Sequence, residues 1–400
     1  MSRDAHDPLL RFRAEFPILE STTYLVSNSL GAMPRAVPER LAEYAREWAT
    51  RGVRAWAEGW WEMPIAVGDE IAPLIGAGPR EVAMVPTVSM AQAQVLSALD
   101  YGDGRDTIVM SELDFPSVRY VYDSLATRLG ARIVVVPSDD GIGVSEERLI
   151  EAIDERTRLV AISHVLFRSA YVMDVAKIAE HAHAVGALVS LDAYHSVGVL
   201  PVDVRALGAD FLTGGVLKWL CGGPGGCFVW VRPELNATLA PTLTGWQAHK
   251  HPFAFAAEME YADDAWRWLG GTPVIPALFA ATAGPAIVRE AGMEAIRAKS
   301  TRQTSRLIEL ADARGFPVTA PRDAARRGGT VAFGVPHARE VARALLAREV
   351  IVDYRPNAGI RVAPHFYTSD EEVEQVVEII DDILARGEWE RYTHETATVT

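Results

Sequence analysis

From about Thr107 to Val231 the chain alternates short, nearly unbroken apolar runs with longer amphipathic ones, and no other feature constrains the fold as much. TIVMS, ARIVVVPS, RLVAISHV, ALVSLDAY, DFLTG and GCFVWV read as buried strands. Strands that are apolar on both faces suit a parallel sheet covered by helices on both sides. Between them, SVRYVYDSLATRLG, SEERLIEAIDE and VAKIAEHAHAVGA have helical spacing, with Ser145 placed to cap the second. Strand–helix alternation of this kind predicts a doubly wound α/β domain.

After about Pro276 the pattern changes. ALFAATAGPAIVREAGMEAIRAKSTRQTSRLIELADARG reads as one or two long helices. It is followed by a strand (GTVAFGV), a helix (AREVARALLA), short strands (VIVDYR, IRVAP) and a closing helix striped by Val373, Val376, Val377, Ile380 and Leu384. This predicts a smaller α+β domain over 276–400, a large domain over 21–275 and an N-terminal segment over 1–20. A length of 400 residues suits that division. The tail HETATVT is polar, as a disordered end is.

Bulk composition narrows the function classes. The net charge of −14 argues against nucleic acid or an anionic membrane as partner. No apolar run reaches about 20 residues, and the start MSRDAHDPLLRF lacks the apolar core of a signal peptide. The only cysteines, Cys221 and Cys227, flank CGGPGGC. They make neither a disulfide framework nor a structural zinc site, so the expectation is a cytoplasmic protein without a metal.

Ligands of an open parallel sheet bind beyond the carboxyl ends of its strands. Asp192 and His195 lie at such an end, as do Ser163 and His164, and the run Asp114–Phe115–Pro116–Ser117. A carboxylate there costs several kcal/mol unless a cation meets it, so Asp192 has either a structural partner or a positively charged ligand. Lys218 sits in GGVLKWLCGGPGG, an apolar and glycine-rich setting that lowers an ammonium's pKa. A lysine so tuned is the nucleophile a Schiff base needs. Pyridoxal phosphate needs that lysine, an acid on its pyridine nitrogen and a phosphate cradle. Asp192 suits the acid. Thr87 and Ser89, ahead of a helix expected to start near Met90, suit either the cradle or a simple helix cap.

Several segments, in order along nearly the whole chain, carry a resemblance: YLVSNSLGAMPR (24–35), DFPSVRY (114–120), LDAYHSVG (191–198), the Lys218 segment, GWQAH (245–249), LGGTPVIPAL (269–278) and NAGIRVAPHFY (357–367). Together they resemble the class V branch of the fold type I pyridoxal-phosphate enzymes, and most of all the kynureninases. The resemblance implies a large domain with a mostly parallel seven-stranded sheet and a small C-terminal domain. It implies that Lys218 forms the Schiff base, that Asp192 pairs with the pyridine nitrogen and that His195 lies beside the cofactor. Pro86 and Thr87 then hold the phosphate end, Phe115 stacks, and Ser117 and Ser163 support. Trp246 and Thr272 reach the phosphate of a neighbouring subunit, which implies a homodimer. Arg361 clamps the substrate's α-carboxylate, where the bland alternative is a surface ion pair. Asn28 either touches substrate or merely shapes its turn.

Two departures stand out against that family. Leu217 stands where kynureninases have a tyrosine before the lysine, and Val216 where a hydroxyl residue precedes it. Trp56 stands where a histidine lines the aryl pocket; with Trp60 and Trp61 it forms either a large aromatic pocket or plain core. These differences point to side-chain cleavage of an amino acid other than plain kynurenine. Other class V chemistries remain open, namely C–S β-elimination, transamination and decarboxylation. So does a non-catalytic binding protein, which the intact Lys218, Asp192 and Arg361 disfavour. No cysteine follows Cys227 to carry a persulfide as in cysteine desulfurases.

Overall fold

The computed structural model describes residues 7–394; the tail beyond His394 and the first six residues lie outside them. The centre of the molecule is a seven-stranded sheet in the order β2-β8-β7-β6-β5-β3-β4. Its strands are β2 (Val82–Val85), β3 (Thr107–Ser111), β4 (Arg132–Val136), β5 (Thr157–Ser163), β6 (Leu188–Asp192), β7 (Phe211–Gly215) and β8 (Cys227–Val231). The six apolar runs all became strands, joined by the short run VAMV as β2. From β4 through β7 every pairing is parallel. GCFVWV is the exception, for β8 runs antiparallel to both β2 and β7.

Side-chain alternation explains why these runs are apolar throughout. Val109, Val160, Leu191, Leu212 and Phe228 enter one core cluster. Their neighbours Ile108, Met110, Leu159, Phe211 and Val229 enter another, on the opposite face. Each fully buried side chain of this kind contributes about 1.5–3 kcal/mol. Only β4, at the sheet edge, opens with an exposed residue, Arg132.

One rim of the sheet collects Val85, Ser111, Ser163, Asp192 and Gly215 at strand ends, with Cys227 opposite both Val85 and Gly215. Helices start from the same rim. Phe115 precedes the helix Pro116–Leu129, and Thr87 caps Val88–Ser97 by accepting the Met90 N–H. That helix begins two residues before the expected Met90, so Ser89 lies inside its first turn.

The small domain is a three-stranded antiparallel sheet, β11 (Asp353–Arg355), β12 (Gly359–Val362) and β9 (Val331–Phe333). It is backed by the helices Met293–Ala313, Ala338–Ala347 and Asp370–Ala385. The closing helix starts with a capping box, Ser369 and Glu372 each bonding the other's backbone. Its stripe buries Val373, Val376, Val377 and Ile380, joined by Ile383, while Leu384 is half-buried.

Three helices replace the expected one or two, at Ile275–Ala281, Ala283–Ala291 and Met293–Ala313. Pro285 lacks the N–H that would continue the first into the second, and Gly292 breaks the next junction at φ +82°. Ile275, Leu278, Phe279 and Val288 pack into the core of the large domain, although they follow or adjoin the expected boundary at 275. Conversely, β1 (Thr23–Tyr24), expected at the start of the large domain, pairs in parallel with β10 (Val350–Ile351), and Leu25 enters the small core.

Candidate active site

Lys218 lies three residues beyond β7, in a loop pinned by the Cys221 N–H bonding to the Lys218 carbonyl at 3.0 Å. The turn SNSLG closes over that loop, since the Gly31 N–H bonds to the Leu217 carbonyl at 2.8 Å. A Cβ on Gly31 would fall 2.1 Å from the Lys218 carbonyl oxygen, so only glycine allows this approach.

The Lys218 amine stands 2.6 Å from His195 Nε2. Burial pulls the lysine pKa down to about 7, Asp192 opposes that, and Arg361 and Arg355 add to it. Burial, then the charges of Lys218, Arg361 and Arg355, hold His195 well below the ordinary histidine range. At neutral pH a lysine amine that is only about half protonated therefore faces a neutral imidazole. Burial raises the Asp192 pKa, against the Tyr194 N–H and the Lys218 charge. The Asp192 carboxylate accepts that Tyr194 N–H at 2.9 Å.

These groups open into one cavity of about 460 Å³. Asn28, Pro86, Thr87, Phe115, Ser117, Asp192, His195, Lys218 and Arg361 all line it. Leu217 lines it too, with no hydroxyl to offer. Asn28 is buried with neither its amide nitrogen nor its oxygen paired. Ser163 stands behind the wall. Its N–H and that of Ser111 both bond to Asp114 at 2.8 Å. That buried carboxyl, its pKa pushed up to about 6 chiefly by desolvation, ties the ends of β3 and β5 together.

Arg361 is 2% exposed, which excludes a surface ion pair. Its Nε and Nη2 grip both oxygens of Asp353, its register partner on β11, and Nη1 donates to the Phe167 carbonyl. Three of the five N–H donors of the guanidinium are thus held in place. Arg355, which the sequence reading passed over, lines the same cavity and sits 3.2 Å from Asp353. Strand alternation carried the signal, for Asp353 and Arg355 are two residues apart and share a face. Two arginines around one aspartate leave a surplus of one positive charge, matched by a single carboxylate.

Trp56, Trp246 and Thr272 do not meet Lys218 within one chain. They line a second cavity of about 600 Å³ with Trp61, Phe253 and Pro273. Of the tryptophan cluster, Trp60 is core and Trp56 and Trp61 are cavity wall. A short π-helix, Trp56–Trp60, with Gly59 at φ +153°, carries Trp56 and is capped by Trp61. Gln247 also lines this cavity, buried and with both side-chain polar atoms unpaired. It lies in the segment GWQAH, of which the sequence reading singled out only Trp246. Both cysteines are free and buried, with thiol pKa values pushed up to about 12 by desolvation.

The aminotransferase class-V family model matches residues 23–376. The kynureninase of Pseudomonas fluorescens is 35% identical over 402 residues, covering 97% of this chain and 95% of its own. That of Burkholderia mallei strain SAVP1 is 34% identical over 406 residues, with the same coverage of 97% and 95%. Among solved structures, the apo cysteine desulfurase of Thermococcus onnurineus NA1 has a TM-score of 0.83 at 24% identity, covering 94% of this chain and 98% of its own. The cystine C–S lyase C-DES, bound to its product cysteine persulfide, gives 0.82 at 21% identity, covering 92% and 99%.

Proposed function

The chain belongs to the aminotransferase class-V family, and from that premise we infer a pyridoxal-phosphate enzyme that cleaves a side-chain bond of an amino acid in the manner of the kynureninases. The observation that carries this is the convergence on one cavity of a lysine tuned to about 7, a buried Asp192 and the Arg361–Asp353 pair. Support for a substrate other than plain kynurenine comes from Leu217, which puts no proton donor beside Lys218.

The residues present fit the cofactor. Asp192 is a buried carboxylate facing a cavity, in need of a cation such as a protonated ring nitrogen. Thr87 and the free N–H groups of the first turn of Val88–Ser97 are suited to hold a phosphate. When bound, pyridoxal phosphate supplies a carbonyl for the lysine amine and an electron-withdrawing ring that stabilises negative charge beside it. Lys218, about half neutral at neutral pH, would be the residue that holds the cofactor through its amine and the base placed to take the substrate's α-proton. His195, 2.6 Å away and kept neutral by burial, orients the lysine amine through a hydrogen bond. The two spare N–H donors of Arg361, with Arg355 nearby, bind the α-carboxylate. Two buried, protonated cysteines give no support to sulfur transfer through an enzyme thiol.

The second cavity supports a homodimer in which Trp56, Trp246 and Thr272 complete the partner's site. Its rim is apolar and exposed, with Val53 at 81% and Phe253 at 63%, and the exposed Phe255 stacks on Trp246 beside it. Among the described residues no helix is long and apolar enough to cross a membrane, and two unpaired cysteines suit a cytoplasmic location. The test is to load the protein with pyridoxal phosphate and supply kynurenine, 3-hydroxykynurenine and cysteine S-conjugates, with products read by mass spectrometry. Side-chain cleavage of one class is expected. Amino-group exchange with a keto acid, without cleavage, would refute the reading.

A further inference from the structure

Tyr194 stands between Asp192 and His195, and the mechanism above gives it no part. Its backbone N–H is spent on Asp192. Its ring lines the Lys218 cavity, with the centroid 5.5 Å from the lysine amine. The Phe115 ring stands at the same distance, 5.5 Å. The two rings arrive from different parts of the rim. Phe115 follows β3 and packs edge-on against Phe167, which follows β5, at 5.2 Å and 88°. Tyr194 follows β6 and lays its ring and hydroxyl against Gly215 at the end of β7.

Gly215, the last residue of β7, shows how closely that ring is seated. A Cβ there would fall 2.3 Å from Tyr194 Cε1 and Cζ and 2.4 Å from its hydroxyl. Real Cβ atoms do not approach so near, and the ring is wedged rather than free to swing. The glycine serves space, not an unusual backbone angle. Burial, followed by the neighbouring Cys227, raises the hydroxyl's pKa far above its usual value, so the ring stays neutral.

We propose that Tyr194 is a positioning residue that gives the cofactor's pyridine ring a second aromatic wall alongside Phe115, and that Gly215 is glycine in order to seat it. A planar ring attached to the Lys218 amine has two aromatic rings within reach of its attachment point, each centred 5.5 Å away. Offset stacking on a rigid ring fixes tilt as well as adding affinity. This inference rests on the pyridoxal phosphate reading.

The test titrates apo protein with pyridoxal phosphate and follows the visible absorbance and the induced circular dichroism of the bound ring. For Tyr194→Leu, about 3- to 10-fold weaker binding and a diminished dichroic band are expected. Tyr194→Phe keeps the ring and should match the wild type within about two-fold. Gly215→Ala should resemble Tyr194→Leu, and the double variant should be no worse than either single one. Far-ultraviolet dichroism checks folding; if Gly215→Ala fails to fold, the Leu and Phe variants decide alone. Wild-type affinity and dichroism in Tyr194→Leu would overturn the proposal. So would equal damage from Tyr194→Phe, which would make the hydroxyl the operative group. A wild-type protein that takes up no pyridoxal phosphate would instead sink the cofactor reading, and this inference with it.

Discussion

Arg361→Met tests the carboxylate clamp. Asp353 and the Phe167 carbonyl hold three of the five N–H donors of Arg361. The remaining two carry the proposed contact with the substrate's α-carboxylate. Removing one partner of a buried, hydrogen-bonded charge pair costs about 2–5 kcal/mol. At about 1.4 kcal/mol per tenfold, kcat/KM should fall roughly 30- to 4,000-fold. The fold should survive, because Asp353 keeps Arg355 at 3.2 Å as a partner. Arg361→Lys should recover only part of the loss, since an ammonium cannot bridge Asp353 and a second carboxylate as a fork does. The assay is a cycle in which kcat/KM is measured for the best substrate and for its decarboxylated amine analogue, in wild type and in Arg361→Met. Wild type should lose about the same factor on the analogue, and the variant should lose little more. If Arg361→Met slows the amine as much as the amino acid, Arg361 acts through structure and the clamp is elsewhere.

Cofactor attachment should accelerate as pH rises through about 7, the Lys218 value, and then level off; stopped-flow absorbance showing a midpoint near the ordinary lysine value would contradict that. Between about 7 and the unfolded value of 10.5 the unfolded chain holds the extra proton, so apo stability should climb with pH in that window. Lys218→Met should flatten this slope and raise the melting temperature at neutral pH while abolishing cofactor attachment, which calorimetry and absorbance would check. Leu217→Tyr restores a hydroxyl beside Lys218 and should raise kynurenine turnover by up to about a hundredfold, read as anthranilate release. Ser369→Ala removes the capping-box hydroxyl and should cost about 1 kcal/mol, visible as a small fall in thermal midpoint.

The sequence reading reached furthest where chemistry and strand pattern coincide. Lys218, Asp192, His195, Phe115 and Arg361 all stand at strand ends or on a strand, and all reached one cavity. Runs such as RLVAISHV located β5 because burial on both faces keeps the stretch from Leu159 to Ile162 apolar without a break. Direction did not show in the same pattern, since β8 is as apolar antiparallel as it would be parallel. Arg355 was missed because a second charge on a short strand looks like any exposed arginine until Asp353 is seen beneath it. The separation of Trp56, Trp246 and Thr272 from Lys218 was also beyond the sequence of one chain; it depends on three-dimensional spacing that no linear motif records. The domain boundaries shifted for a related reason, since Leu25 and Phe279 are ordinary apolar residues whose choice of core is set by topology.

The pairing of β1 with β10 bears on how the enzyme is made. Thr22 and Glu349, which flank that pairing, are 327 residues apart in sequence. At about 5–20 residues per second, the ribosome needs roughly 15–65 s to supply the second strand after the first. Throughout that interval Thr23 and Tyr24 have no sheet to join, and the turn carrying Asn28 and Gly31 hangs from an unanchored end. The Lys218 loop can be complete, with its own strands already paired, well before that turn can close over it. The nascent enzyme therefore passes through a stage with its lysine in place and its cover still open, and completion of the pocket waits until Val350 and Ile351 have been made.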